Sequence, residues 1–362
     1  MNTEKSLNII IACGGTGGHL FPGIAVAQQL RKMGHHPVLL ISRKEVDAEA
    51  SSKYGDLEFH SIPAIAKPPT FSLRMPGFLW KLFTTYMSCK KLIHREKADA
   101  VLGMGGFTSL PPCKAAHALG LRSYVHDSNA MPGKSNRLTA RWCTKVLVGM
   151  QEAVQHFPGS TCEVVGTPVR DEIRNLPTQT EARERLGLPA DKPVILVTGG
   201  SQGAKNLNSM LIEAAKADPG VHYLVIAGRL DYERVNGLAG GAPNITVLGF
   251  CSDMPAAYAA ADGVIARSGA STLTELSIIG KATLLVPFPF AADDHQTHNA
   301  RAFSTREAAV LIQQADLTTE KVHDFVHNTV LNPAAREAME NAMRALSRPD
   351  AAREIAEAIL SD

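Results

Sequence analysis

Short runs of β-branched and aliphatic residues recur along this chain, each closed by Gly or Pro and followed by a stretch whose apolar positions return every three or four residues. That alternation is the pattern of βα units, in which a strand buried on both faces feeds a helix that crosses back over a parallel sheet. In the first half it predicts strands over 7–12, 37–41, 100–102, 123–126 and 145–148. In the second half it predicts strands over 194–198, 223–227, 246–249, 263–266, 283–287 and 309–312. Periodicity breaks between Val165 and Thr180, at Gly166-Thr167-Pro168 and Pro177-Thr178-Gln179-Thr180, so a hinge between two α/β domains is expected there. The domains read as 1–170 and 171–345. After about Asn332 the chain is rich in Ala, Glu and Arg and reads as helical to the end.

A length of 362 residues suits two domains of roughly 150 to 200 residues each. Hydrophobic residues at 45% and charged residues at 20% are ordinary for a globular protein, which excludes disorder, fibre and repeat array. No apolar run approaches the roughly 20 residues that a membrane span needs. Ile10-Ile11-Ala12-Cys13 imitates a lipoprotein cleavage box, but the apolar stretch over 7–12 is short for a signal sequence and reads as a strand. The 6 cysteines form no CxxC pair, so free thiols in a reducing compartment are expected.

Charge changes the picture more. Residues 1–170 carry 20 Lys and Arg against 11 Asp and Glu, whereas residues 171–362 carry 17 against 24. A basic half joined to an acidic half implies that the first faces an anionic partner. Its densest stretch, 67–97, holds Lys67, Arg74, Lys81, Lys90, Lys91, Arg95 and Lys97 among Phe71, Leu73, Phe78, Leu79, Trp80, Phe83, Tyr86 and Met87. Bases and aromatics mixed at helical spacing suit a helix lying on an anionic lipid surface. A core helix with a solvated basic face has the same spacing.

Three Gly-rich turns follow predicted strands: Gly14-Gly15-Thr16-Gly17-Gly18, Gly103-Met104-Gly105-Gly106 and Gly199-Gly200-Ser201-Gln202-Gly203. Glycine lets backbone N–H groups approach an anion closely, and the helix dipole behind adds to the attraction, so phosphate or pyrophosphate binding is expected. The G-x-G-x-x-G spacing of dinucleotide enzymes and the G-K-S/T of a Walker loop are absent. His19 ends the first turn, where an imidazole can accept a proton from a hydroxyl near neutral pH or can simply bond a loop carbonyl. Asp293, Asp294, His295 and His298 imitate a metal cluster but read better as polar residues at a helix start. Arg267-Ser268-Gly269-Ala270-Ser271-Thr272 opens a helix whose N-terminus suits a diphosphate, with Glu275 one turn inside in reach of ribose hydroxyls. Ordinary capping by Ser271, Thr272 and Glu275 is the alternative.

The ordered set is more specific than its parts. Gly14 to His19 with Phe21-Pro22-Gly23, Gly103 to Phe107, His126-Asp127-Ser128-Asn129, Gly166-Thr167-Pro168-Val169-Arg170, Gly199 to Ala204, Arg267 to Ala270 and Asp294-His295-Gln296-Thr297-x-Asn299-Ala300 together resemble the MurG family over about 7–345. That family is the peripheral membrane N-acetylglucosaminyltransferase of peptidoglycan synthesis. The resemblance implies a GT-B fold of two Rossmann-like, doubly wound parallel-sheet domains facing across a cleft, with a last helix over 346–362 returning to the first. It implies an inverting transfer of GlcNAc from UDP-GlcNAc to the 4-hydroxyl of MurNAc in lipid I (undecaprenyl-pyrophosphoryl-MurNAc-pentapeptide), making lipid II. No cofactor and no metal are implied, and no nucleic acid partner. An anionic membrane surface, at the cytoplasmic face of the plasma membrane, and other cell-wall synthesis proteins are the implied partners.

His19 is the first choice for the catalytic base, the alternative being that it only orients the acceptor's pyrophosphate while Asp127 or water takes the proton. By the same resemblance Thr16, Gly17, Gly18, Asn129, Arg170, Ser201, Ser268, Gly269, Ala270, Ser271, Thr272, Glu275 and Gln296 meet the donor. Gly14, Gly15, Gly105, Gly106 and Asp127 meet the acceptor, and either His295 or Gln296 contacts the donor sugar. The chain departs from the pattern at Asp127, where the family commonly has Glu, and at Thr167, where it commonly has Asn. The competing readings are a UDP-GlcNAc 2-epimerase, a transferase acting on another acceptor, and a non-catalytic nucleotide-sugar or lipid-carrier binding protein. The last of these would need no His19.

Overall fold

The computed structural model of the chain describes residues 6–14, 17–42, 54–63, 73–199 and 204–361. It divides into two compact units, Met1–Arg170 with Arg348–Asp362, and Asp171–Ser347.

The first unit holds a parallel sheet of strands β1 (Asn8–Ala12), β2 (His36–Ser42), β3 (Glu58–Ile62), β4 (Ala100–Gly103), β5 (Arg122–Asp127), β6 (Lys145–Val148) and β7 (Cys162–Val164), in the order β3-β2-β1-β4-β5-β6-β7. Alternate residues of β1 explain the layers. Ile9 and Ile11 face a core with Leu20, Ile24 and Leu30 of helix α1 (Gly17–Lys32), whereas Ile10 and Ala12 face Cys89 and Ile93 of α2 (Met75–Arg95) and Cys113 of α3 (Leu110–Ala118). A strand covered on both faces must be apolar throughout, which is why this one is legible as a continuous run. A short helix α4 (Lys134–Thr139) follows β5.

The second unit begins with α5 (Gln179–Leu186), started by a capping box in which Thr178 and Glu181 bond each other's backbone N–H. Its parallel sheet runs β10-β9-β8-β11-β12-β13, from β8 (Val194–Thr198), β9 (His222–Ile226), β10 (Ile245–Leu248), β11 (Gly263–Ala266), β12 (Ala282–Leu285) and β13 (Val310–Leu311). The helices are α6 (Lys205–Ala217), α7 (Tyr232–Ala239), α8 (Met254–Ala260), α9 (Ala270–Ile279), α10 (His295–Ser304), α11 (Thr319–Asp324) and α12 (Pro333–Ala345). In each sheet the chain winds outward one way and then restarts beside its first strand, at β1/β4 and at β8/β11. Ligands of such sheets bind outside the strand carboxyl ends at that switch point.

Two differences from the sequence reading have simple causes. Strands β3 and β7 were not expected, because both are edge strands whose residues are partly exposed and form no apolar run. The helical tail expected after Asn332 is two helices, α12 and α13 (Ala351–Leu360), with Pro349 in the break. The second packs Ile355, Ala356 and Ile359 into the α1 side of the first unit's core, and Arg122 and Tyr124 donate to the Ile359 carbonyl.

Candidate active site

At the first switch point the two Gly turns meet around His19. Gly14 presses on β2: a Cβ there would lie 2.2 Å from the Ser42 backbone nitrogen, so this glycine is demanded by packing. His19, half-buried in the first turn of α1, lies along the Gly105-Gly106 backbone, both residues at positive φ. A Cβ on Gly105 would stand 2.9 Å from His19 Nε2, and one on Gly106 would stand 3.4 Å from Cε1. Only a bare backbone lets the imidazole sit there.

The same turn corrects the expectation that Gly105 and Gly106 offer their amides to a phosphate. The Gly105 N–H donates to Ser109 Oγ at 2.8 Å and the Gly106 N–H to Asn136 Oδ1 at 3.1 Å. These glycines make room for His19 rather than cradle an anion. The side chain of Thr108 donates to the Gly14 carbonyl at 2.9 Å and ties the two turns together.

Asp127 is 3% exposed, and its carboxylate is saturated. Oδ1 accepts from the Asn129 backbone and side chain, while Oδ2 accepts from Gly133 N–H and from Asn136 Nδ2 at 2.8 Å. It organises the loop between β5 and α4, and nothing of it is left facing outward as a base or direct ligand. Asn136 bridges this loop to the Gly106 turn and was not singled out from sequence, since an Asn in a short polar helix carries no signal. His126, beside it, is buried; burial lowers its pKa, and Nε2 bonds the Gly166 carbonyl at 2.8 Å. Asn129 is half-buried at the loop, and the Arg170 guanidinium lies 5.3 Å from the Phe21 ring centre on α1.

At the second unit's switch point, Gly269 is the N-cap of α9 and makes no side-chain cap hydrogen bond; the first turn of the helix has no acidic residue. Ser271 and Thr272 therefore stand inside the first turn rather than at the cap, and Ala270 adds nothing that would cover the helix end. Ser268 is fully buried, and its hydroxyl donates to the Gln296 carbonyl at 2.7 Å instead of capping α9. Asn299 Nδ2 donates to the Ser268 carbonyl. Among the described residues nothing caps the first-turn N–H groups of this ten-residue helix, which with its dipole make an anion site.

Glu275 is half-buried and accepts from the Tyr258 hydroxyl at 2.8 Å. Tyr258 is itself buried, so the bond ties Glu275 to the interior side of α9. Gln296 accepts the Phe288 N–H at its Oε1, and His295 Nδ1 bonds the Ala292 carbonyl, so both begin α10 with local partners. Arg267 is buried, donates to the carbonyls of Val286 and Pro287, and is lowered to about 10 by burial, still charged at neutral pH. A cavity of about 320 Å³ opens beside it, lined by Lys205, Asp231, Phe288 and Gln314 among others. Arg229 over the exposed Phe250 ring, at 4.5 Å, is a further feature of the strand carboxyl ends that the linear sequence did not flag. Gly17 and Gly18 open α1, whereas Gly15, Thr16 and Ser201 lie outside the described residues.

Two all-parallel, doubly wound Rossmann-like sheets define the GT-B fold class. Residues 9–148 match the glycosyltransferase family 28 N-terminal domain and residues 194–355 its C-terminal domain; the chain belongs to this family. A relative from Citrifermentans bemidjiense, named UDP-N-acetylglucosamine–N-acetylmuramyl-(pentapeptide) pyrophosphoryl-undecaprenol N-acetylglucosamine transferase, is 36% identical over 98% of this chain and 99% of its own length. One of the same name from Myxococcus xanthus is 34% identical over 97% and 92%. The crystal structure of Acinetobacter baumannii MurG superposes with a TM-score of 0.79 at 30% identity, covering 99% of this chain and all of that one. A UDP-GlcNAc 2-epimerase from Neisseria meningitidis, at 15% identity and a TM-score of 0.74, shares the fold.

Proposed function

We propose that the chain transfers N-acetylglucosamine from UDP-N-acetylglucosamine to the 4-hydroxyl of the MurNAc unit in undecaprenyl-pyrophosphoryl-MurNAc-pentapeptide, with inversion and release of UDP. Family membership supports the reading, and the uncovered N-terminus of α9 carries its donor half. The diphosphate of UDP rests on the N–H groups following Gly269, and Glu275, held by Tyr258, faces the ribose. As the acceptor oxygen bonds to the anomeric carbon, the bond to the diphosphate breaks on the opposite face and His19 takes the hydroxyl proton. Fixed N–H dipoles stabilise the leaving charge without a metal ion. Gly105 and Gly106 shape the acceptor side by making room for His19, Gly14 seats its turn against β2, and Asp127 holds the supporting loop through Asn136.

Among the described residues no helix is long and apolar enough to cross a membrane. Helix α2 instead exposes Trp80, Phe83, Leu79 and Met87 together with Lys91 and Arg95, with half-buried Lys90 lying over the Tyr86 ring. Exposed apolar rings among bases suit insertion into an anionic interface, so the protein docks peripherally on the cytoplasmic leaflet that carries the lipid-linked acceptor.

Incubation of the purified protein with radiolabelled UDP-GlcNAc and the lipid-linked acceptor is expected to move label into the lipid fraction. Label in free ManNAc or GlcNAc, with none in lipid, would replace this reading by the epimerase one.

A further inference from the structure

Asp218 follows α6 and leads into β9, at the amino ends of the second unit's strands and so at the opposite edge of the sheet from the Gly269 turn. Helix α11 packs on α6 over a shared core of Leu211, Ala215, Val322 and Phe325, and continues into a π-helical turn, Phe325–Val330. His323 and His327 stand four residues apart across that junction, with rings stacked at 3.9 Å between centres. His327 Nε2 lies 2.9 Å from Asp218 Oδ2. One ligand atom from each of the three residues falls within 4.8 Å of the other two.

Two imidazoles at i and i+4 on one helical face are a chelating pair, and two nitrogens with one carboxylate oxygen are a borderline donor set. Magnesium and calcium prefer all-oxygen sites, so the set selects against them. The third ligand is prearranged. The Asp218 carbonyl accepts from Asn244 Nδ2 and Val221 N–H, and the buried Tyr223 hydroxyl points at Asp218 Oδ2 from 3.5 Å. Such outer contacts orient a metal ligand. The π turn adds a separate pointer, because these rare turns concentrate at functional positions in helices.

We propose that Asp218, His323 and His327 bind a divalent transition-metal ion, zinc foremost, with water as the fourth ligand. On binding, the proton on His327 Nε2 passes to Nδ1 through solvent, and Nε2 and Asp218 Oδ2 turn their lone pairs to the ion. No electrons are transferred. The exposed His323 closes the site as the ligand atoms draw in to about 3.3 Å from one another, the separation set by bonds of about 2.0 Å in a tetrahedron. The ion clips α11 to the α6–β9 turn and stabilises the second unit; it takes no part in sugar transfer, which runs in EDTA under the mechanism above.

The test uses the full chain stripped of metal by chelator. Calorimetric titration with zinc chloride is expected to give one ion per chain, and cobalt to give the visible absorption of a tetrahedral site. His323→Ala and His327→Ala are each expected to weaken zinc at least tenfold, and the zinc-dependent rise in Tm should disappear in His323→Ala. His323 is exposed, so this variant should keep the metal-free Tm. Absence of saturable zinc binding, equal binding of magnesium, or one-to-one zinc binding that survives in the double histidine variant would each overturn the proposal.

Discussion

At Glu275 two effects of one substitution can be separated. The carboxylate receives the hydroxyl of buried Tyr258, so Glu275→Ala removes a hydrogen bond to a charged group and should cost about 1.5–3 kcal/mol of stability as well as donor affinity. Glu275→Gln keeps an acceptor for Tyr258 and should retain the Tm while weakening UDP-GlcNAc in calorimetry. Unchanged donor affinity in Glu275→Gln would remove the residue from the donor site. For His19, a base supplies about 10²- to 10⁴-fold, so His19→Ala should reduce turnover by that much with donor affinity kept. A raised acceptor KM with turnover intact would leave His19 a binding role alone. His126 makes a pH prediction. Burial lowers its pKa, so below about pH 6.5 the unfolded chain takes up a proton that the folded chain refuses. Stability should therefore fall as pH drops from about 6.5 toward the lowered value, by up to about 1.4 kcal/mol per pH unit for the one proton. His126→Gln should flatten that part of the Tm–pH curve.

Among the helices, α9 and α2 carry testable physics. Because α9 has no cap bond and no acidic residue in its first turn, Ser271→Asp should complement the dipole and raise stability by about 0.3–1 kcal/mol. The same carboxylate would sit where a diphosphate belongs, so donor KM should rise. Steady-state kinetics and thermal melts on one preparation check both signs; a stable variant with unaltered KM would place the diphosphate elsewhere. For α2, Trp80 is 69% exposed and Phe83 54%. Vesicle binding should fall with salt and by about 1 kcal/mol for each of Lys90, Lys91 and Arg95 removed. Binding indifferent to salt and to these charges would make the helix an ordinary solvated one.

Over the whole molecule, each doubly wound sheet has one switch point, β1/β4 beside the Gly105-Gly106 turn and β8/β11 beside the Gly269 turn. This is where backbone N–H groups and helix dipoles converge, so catalysis should not depend on a metal. Full turnover in excess EDTA is expected, and a strict divalent requirement measured after chelation would refute it.

Every interior strand was legible in the chain, because a strand buried on both faces is an unbroken apolar run; the edge strands β3 and β7 were not, because partial exposure dilutes that signal. His19, the Gly turns and the segment from Ser268 to Glu275 stand out in the chain as an ordered set of residue types. What each group faces was decided by tertiary structure alone. Sequence lent Asp127 and the Gly105 and Gly106 amides outward roles, but the folded loop turns Asn129 and Gly133 onto Asp127 and Ser109 onto Gly105, and packing brings Asn136, thirty residues on, to the Gly106 amide, which uses up their hydrogen bonds. It likewise leaves the α9 end uncovered by turning Ser268 toward Gln296. Apolar periodicity is a local property that burial writes directly into the chain, whereas hydrogen-bond satisfaction depends on which distant partner arrives, and that is set only when the elements pack.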